Sequence, residues 1–390
     1  MQAGDLSLDV AEAQQRAVDI LDQLVRFPTL SGESNLDMIA FVTRFLADHG
    51  VVSSISHDES GQRANLYATI GPETDGGVLL NGHTDVVPVE GQEWSSDPFE
   101  LRISDDRLYG RGSVDMKGFL ACMLAMTPEF KAMPLARPVH LSMCYDEENG
   151  GFGAPVLAGD IVSKSWRPSV AIVGEPTEMR MVGAHKGGLE LRTEVTGFAA
   201  HACDPSKGVN AIMIAADMIA HLRKLAHDLS GQIDSESPCD PPHATINVGT
   251  VHGGAARNVV AGDCAFDWEI RPTRSGQAEM LLEEINNHFS AILTPAGASF
   301  QTTIEAVVPP LVYDPQSAAA QLVGKLTGMN SVGAVSFGTD AGHFQANGMS
   351  TIVFGPGSID QAHKPDEFIE LEQIRQCLRF LHKLGGELSA

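Results

Sequence analysis

Apolar and polar positions follow two different rhythms along this 390-residue chain. Val10, Ala13, Ala17, Ile20, Leu21 and Leu24 recur at helical spacing, so Asp9–Phe27 is expected to form an amphipathic helix that Pro28 stops. A second helix is expected from about Asn35 to Asp48, with Ser34 as its cap and Gly50 just past its end. Short runs follow at Asn65–Ile70, Val78–Leu80, Val139–Cys144, Val170–Val173 and Thr351–Phe354. Each has strand length and Gly, Pro or Asp at its edges, and several are apolar throughout. Such runs suit a sheet covered on both faces. An apolar helix over 116–127 falls between two of them, so the main body is expected to be α/β.

Between about 186 and 308 the rhythm changes. Gly188–Gly197 sets Leu189, Leu191, Thr193 and Val195 against Glu190, Arg192 and Glu194, the period of a strand with one wet face. Helix Val209–Leu229, strands 244–251 and 263–271, helix 276–293 and strand 298–307 complete the order β-α-β-β-α-β, the ferredoxin-like unit. Segment 230–243 is a polar, Pro-rich loop. The body resumes with helix 315–327, strand 351–354 and helix 371–384. The expected organisation is a discontinuous α/β domain, 1–185 and 309–390, carrying an inserted α+β domain, 186–308.

Composition narrows the partners. Lys plus Arg is 26 and Asp plus Glu is 50, a net charge of −24. Such a chain is repelled by phosphate backbones and anionic lipid, so neither nucleic acid nor membrane is an expected partner. The cysteines at 122, 144, 203, 239, 264 and 377 form no C-x-x-C pair and read as reduced thiols of a cytoplasmic protein. The acidic N-terminus does not read as a secretory signal, and the longest apolar stretch, Gly118–Met126, is about half a membrane span.

The chemistry-bearing residues gather at predicted strand ends. Gly82-His-Thr-Asp-Val-Val-Pro88 follows the run 78–80 and puts His83 and Asp85 two apart, on one strand face. Gly110-Arg-Gly-Ser-Val-Asp-Met-Lys-Gly118 places Asp115 before the apolar helix, where alone it reads as an N-cap. Tyr145-Asp-Glu-Glu-Asn-Gly150 follows 139–144, and Gly174-Glu-Pro-Thr177 follows 170–173. Gln361-Ala-His-Lys-Pro-Asp366 lies in the loop after 351–354. Singly, each reads as a polar turn, a cap or a solvated loop. Together they put carboxylates and imidazoles where open α/β sheets hold ligands, which points to a metal site. No G-x-S-x-G, H-E-x-x-H or phosphate-binding Gly-Lys-Ser/Thr loop competes with that reading.

In this order, and with the insert, GHTDVVP, GRGSVDMKG, DEENG, GEPT and AHKPDEF resemble the dizinc metallopeptidase family of aminoacylases and glutamate carboxypeptidases over nearly the whole chain. The resemblance implies a zinc-peptidase-like catalytic domain with a ferredoxin-like lid and dimerisation insert, hence a homodimer. It implies two zinc ions per subunit, with cobalt or manganese also suited to these ligands. His83 and Glu175 would hold one ion, Glu148 and His363 the other, and Asp115 would bridge them. Asp85 would orient His83, and Glu147 would be the general base. Two divalent cations against three carboxylates leave one positive charge, which a hydroxide balances.

The resemblance also implies that His201, in Gly197-Phe-Ala-Ala-His-Ala-Cys203, donates to a developing oxyanion; the plainer alternative is a turn before the next helix. Asn258 and Arg271 match positions for the α-carboxylate of a small N-acyl amino acid, and Arg271 reads equally as a surface residue at a strand end. Gly338-Thr-Asp-Ala-Gly-His343 lacks the arginine that suits a succinyl group, and Asp340 is expected to meet a substrate ammonium or to stand behind the residues that touch the substrate. General aminoacylase, carboxypeptidase and desuccinylase activities share the same motifs. A metal-dependent binding protein that had lost the chemistry would lack the base, and Glu147 is present.

Overall fold

The computed structural model describes residues 8–293 and 297–390. Helix α1 (Val10–Val25) begins where Asp9 Oδ1 accepts from the N–H groups of Ala11 (3.0 Å) and Glu12 (3.1 Å). Its face of Ala13, Ala17, Ile20, Leu21 and Leu24 is buried. Asn35, not Ser34, holds the cap position of α2 (Leu36–Asp48), and it turns its side chain inward to Ala64 and Thr84. Then come β1 (Ser53–His57), β2 (Ala64–Ile70), β3 (Val78–His83), β4 (Arg102–Ser104) and β5 (Arg107–Tyr109). They are followed by α3 (Gly118–Ala125), α4 (Thr127–Ala132), β6 (Val139–Cys144), α5 (Gly153–Ser163), β7 (Val170–Val173) and β8 (Val182–His185).

The insert runs β9 (Gly188–Thr196), α6 (Ala211–Ser230), β10 (Thr245–Gly253), β11 (Asp263–Arg271), α7 (Gln277–Leu293) and β12 (Ser299–Val308). The chain closes with α8 (Ala318–Thr327), β13 (Gly333–Val335), α9 (Ala341–Ala346), β14 (Ser350–Val353), β15 (Phe368–Glu370) and α10 (Leu371–Leu388).

The large sheet has the order β1-β2-β6-β3-β7-β14-β8-β13. Its centre, β6-β3-β7-β14, is parallel, so these strands end on one side of the sheet. Every residue of β3, β6 and β7 is buried, as the continuous apolar runs require. Helix α3 is buried at every position, which an all-apolar helix must be. The expected helix over 116–127 is interrupted at both ends. Residues 113–117 form a wide turn in which Asp115 (φ −125°, ψ 93°) and Met116 leave helical geometry, so Asp115 is no ordinary N-cap. Beyond Met126, Thr127 and Pro128 open a new helix, proline being tolerated in a first turn.

The insert sheet is antiparallel with the order β10-β11-β9-β12. Leu189, Leu191, Phe266 and Trp268 from the sheet pack with Met218, Ile285 and Phe289 from the helices. Residues 232–243 carry no helix or strand.

The chain forms two compact units. One takes the chain through Gly183, Asp314–Gly333 and everything from Thr339, and the other takes Ala184–Tyr313 and Ala334–Gly338. The short segment 334–338, expected in the body, belongs to the second unit because Ser336 Oγ donates to the Asp240 carbonyl and Val335 O lies 3.6 Å from Cys239 Sγ. All six cysteines are free, and only Cys203 is exposed. Among the described residues, no helix is long and apolar enough to cross a membrane.

Candidate metal centre

The parallel strands deliver side chains to one place. His83 is the last residue of β3 and is 1% exposed. Its Nδ1 lies 2.9 Å from the main-chain carbonyl of Asp85, so Nδ1 carries a proton and donates it. That leaves Nε2 facing Asp115 Oδ1 (3.1 Å) and Glu175 Oε1 (3.8 Å). Glu175 lies just past β7, after Gly174, where a Cβ would sit 2.1 Å from the Phe119 ring; only glycine lets the strand end come so close to α3.

A second set forms on loops. Glu148 follows β6, and His363 follows β14 with a left-handed backbone (φ 63°). His363 Nε2 is 3.0 Å from Glu148 Oε2 and 3.3 Å from Asp115 Oδ2. Asp115 thus turns one oxygen to each set. Within His83, Asp115 and Glu175, and within Asp115, Glu148 and His363, the ligand atoms all lie within 4.8 Å of one another. Each triad could hold a metal ion.

The electrostatics describe a site short of positive charge. For His83, burial opposes protonation, but the carboxylates of Asp115 and Asp85 carry its pKa well up. Asp115 and then Glu148 raise His363 to about 10. Burial and then the charge of Asp115 raise Glu148 to about 7. Glu175 is pushed up by burial and Asp115, and Glu147 by burial and Glu175. Asp115 moves the other way: burial opposes, but the hydrogen bonds from His363 and His83 hold it ionised. Among the described residues, Glu175 Oε1 is buried without a hydrogen-bond partner. Clustered acids drawn toward protonation, an orphaned carboxylate oxygen and a two-sided Asp115 fit a pair of divalent cations.

Asp85 meets His83, as its spacing suggests, and has a second task. Its carboxylate is 3.6 Å from His83 Nδ1, and its main-chain carbonyl takes the hydrogen bond instead. The carboxylate accepts from the N–H groups of Glu147 (3.0 Å) and Glu148 (3.1 Å) and from the Ser31 hydroxyl (2.7 Å). It therefore fixes the turn that carries both glutamates.

Asp340 is 2% exposed. Its Oδ2 accepts from Asn81 at 3.4 Å and its Oδ1 has no partner, while burial raises its pKa to about 6.

His201, Asn258 and Arg271 belong to the second unit. There His201 bridges to Val259, and Ala202 N–H donates to the Asn258 carbonyl (3.0 Å), so the two loops run side by side. Arg271 pairs with Glu269 on its own strand (2.7 Å). Arg111 and Glu367, inside two of the motifs but without a role from sequence, form a buried pair beside Asp115. Ser31 and Gln92 had no motif to mark them.

A carboxylate shared between two ligand triads at the ends of a parallel sheet suits metal-assisted hydrolysis. Residues 79–385 match peptidase family M20/M25/M40, and the chain belongs to that family, which places it among metal-dependent peptidases and amidohydrolases. The acetylornithine deacetylase of Shigella sonnei (strain Ss046) is 34% identical over 370 residues, 92% of this chain and 94% of that enzyme. Among solved structures, aminopeptidase PepT of Bacillus cereus ATCC 10987 aligns with a TM-score of 0.73 at 20% identity, covering 97% of this chain and 99% of that one. The YXEP protein of Bacillus subtilis, a dinuclear metal binding peptidase, aligns with a TM-score of 0.67 at 16% identity, covering 96% and 97%. At these identities the two structures establish the shared fold.

Proposed function

We propose that this chain hydrolyses N²-acetyl-L-ornithine to L-ornithine and acetate, a step of arginine biosynthesis in the cytoplasm. The observation that carries the hydrolytic reading is Asp115, whose two oxygens serve two triads. The substrate rests on the similarity to the Shigella sonnei deacetylase and on the absence of arginine from Gly338–His343. His83, Asp115 and Glu175 would hold one zinc ion, and Asp115, Glu148 and His363 the other. A divalent pair supplies Lewis acidity toward the acyl oxygen and acidifies nearby water.

Glu147 takes a proton from the attacking water at its carboxylate and returns it to the departing amine nitrogen. Burial favours the protonated form of that carboxylate, which suits a group that must hold the proton between the two transfers. Asp85 holds the Glu147 main chain still while the proton moves. His201 donates to the developing oxyanion. Asn258 and Arg271 receive the α-carboxylate, with Glu269 giving up part of its hold on Arg271. The insert supplies the homodimer contact, supported by exposed Val251 on β10 and exposed Ile304 and Val307 on β12.

Comparing kcat/KM for N²-acetylornithine, N-acetylmethionine, succinyl-diaminopimelate and a dipeptide ending in glutamate tests the reading. Preference for the first supports it. Preference for another reassigns the chain to aminoacylase, desuccinylase or carboxypeptidase chemistry. Two bound ions without turnover of any substrate would make it a binding protein. A single-chain mass in solution rejects the dimer.

A further inference from the structure

Two charged side chains that neither triad uses are among the most deeply buried in the protein. The Arg111 and Glu367 side chains are each 1% exposed and pair at 2.7 Å between Nη1 and Oε2. A buried ion pair repays its desolvation only with good geometry and further hydrogen bonds. The shorter of these bonds run to two places, and Arg111 also reaches the carbonyls of Lys364 and Pro88 at 3.4 Å. Glu367 Oε1 accepts from the main-chain N–H groups of Val114 (3.0 Å) and Asp115 (3.2 Å). Arg111 Nη2 donates to Gln92 Oε1 (2.6 Å), and Gln92 Nε2 donates to the main-chain carbonyl of His363 (2.9 Å).

Trp94 steadies the second arm: its Nε1 donates to Gln92 Oε1 (3.1 Å) and its ring lies 5.1 Å from the guanidinium. One arm thus ends on the backbone of Asp115 and the other on that of His363. Asp115 sits in a turn with non-helical angles, and His363 has a left-handed backbone in a loop. No helix or strand ladder sets either position.

We propose that Arg111 and Glu367 are a positioning pair that fixes the main chains of Asp115 and His363 relative to each other, and so sets the affinity of both metal sites. The inference rests on the dinuclear reading above. It requires the guanidinium fork, because a lysine carries the charge but cannot reach Glu367 and Gln92 together.

The test uses the zinc-loaded full chain and follows zinc release across a graded chelator series. The absorption spectrum of the cobalt-loaded form and the thermal midpoint of the metal-free form are measured beside it. Glu367→Gln is expected to weaken both ions by about 10–100-fold. Arg111→Lys keeps the hold of Glu367 on Asp115, so it should weaken chiefly the ion on the His363 side and widen the gap between the two release steps. Both variants should shift the cobalt spectrum. The double variant E367Q/R111M removes both charges, so it stays informative if an unpaired Arg111 prevents folding, and it should lose both ions as readily as Glu367→Gln.

A merely structural pair would lower the metal-free midpoint and leave zinc affinity and the cobalt spectrum unchanged; that result overturns the proposal. Retention of both ions by Glu367→Gln and the double variant, to within about threefold of the unmodified chain, overturns it as well. An unmodified chain that takes up fewer than two zinc ions removes the dinuclear reading itself, before any variant is compared.

Discussion

The two halves of the proposed metal centre are built from different materials. His83 ends β3 and Glu175 lies just past β7, and β3 and β7 pair in register, Asn81 beside Val173. Glu148 and His363 stand on loops, and the His363 side chain is 51% exposed. The strand half is placed by main-chain ladders inside a buried sheet. The loop half is placed by side chains: Asp85 on the Glu148 N–H, Gln92 on the His363 carbonyl, and Asp366 on the Ser95 N–H (3.0 Å) and hydroxyl (2.7 Å). Similar ligand chemistry is thus held once by the fold and once by a web of polar contacts. A web can be cut by one substitution, whereas a ladder must be displaced by packing.

The largest effect should leave both halves intact. Glu147→Gln is isosteric and removes only the proton acceptor, so it should keep two ions while kcat falls by about 10²–10⁴. Activity within tenfold of the unmodified chain would reject Glu147 as the base. Next comes displacement of the strand half. Gly174→Ala drives a methyl into the Phe119 ring, 2.1 Å from where its Cβ would lie. A cost of roughly 1–3 kcal/mol is expected in urea unfolding. An unchanged midpoint would mean that the end of β7 is not fixed by packing.

The sheet that carries the strand half should also weaken in acid. His140, on β6, is buried, and burial lowers its pKa from 6.5 to about 4. Between those values the unfolded chain binds a proton that the folded chain does not, so stability is present above pH 6.5 and lost as pH falls toward 4. The loss from pH 7.5 to 5 is about 2 kcal/mol for one such histidine. His343 is lowered to about 4 by burial as well, so His140→Gln should remove one histidine's share of this slope and leave the rest. An identical slope in the variant would contradict the assignment. The smallest effect separates the halves directly. The ion of the loop half should leave at about tenfold lower chelator concentration than that of the strand half. Simultaneous release would erase the distinction.

The same division governs what the sequence makes legible. The strand half can be read because 78–80 and 170–173 are apolar runs with chemistry directly behind them. The loop half cannot be read this way. Tyr145–Gly150 and Gln361–Asp366 look like solvated turns, and only the order of the motifs singles them out. Residues 116–127 mislead because their apolar spacing continues through a turn whose N–H groups are taken by Glu367, 252 residues from Asp115. No local pattern announces so distant an acceptor. Asp85 is only half legible: spacing two from His83 suggests a partner for the imidazole, which its carbonyl supplies, but nothing local shows that its carboxylate holds the Glu147 turn. Strands β4, β5 and β15 span three residues each, too few to show a period.

The central claim is that one carboxylate serves two cations. Zinc stoichiometry, measured by equilibrium dialysis on the metal-free protein, tests it most directly. Two ions per unmodified chain are expected, with both lost from Asp115→Ala at free zinc concentrations where the unmodified chain stays full. An Asp115→Ala protein that retains two ions, or an unmodified chain that saturates at one, would contradict the account.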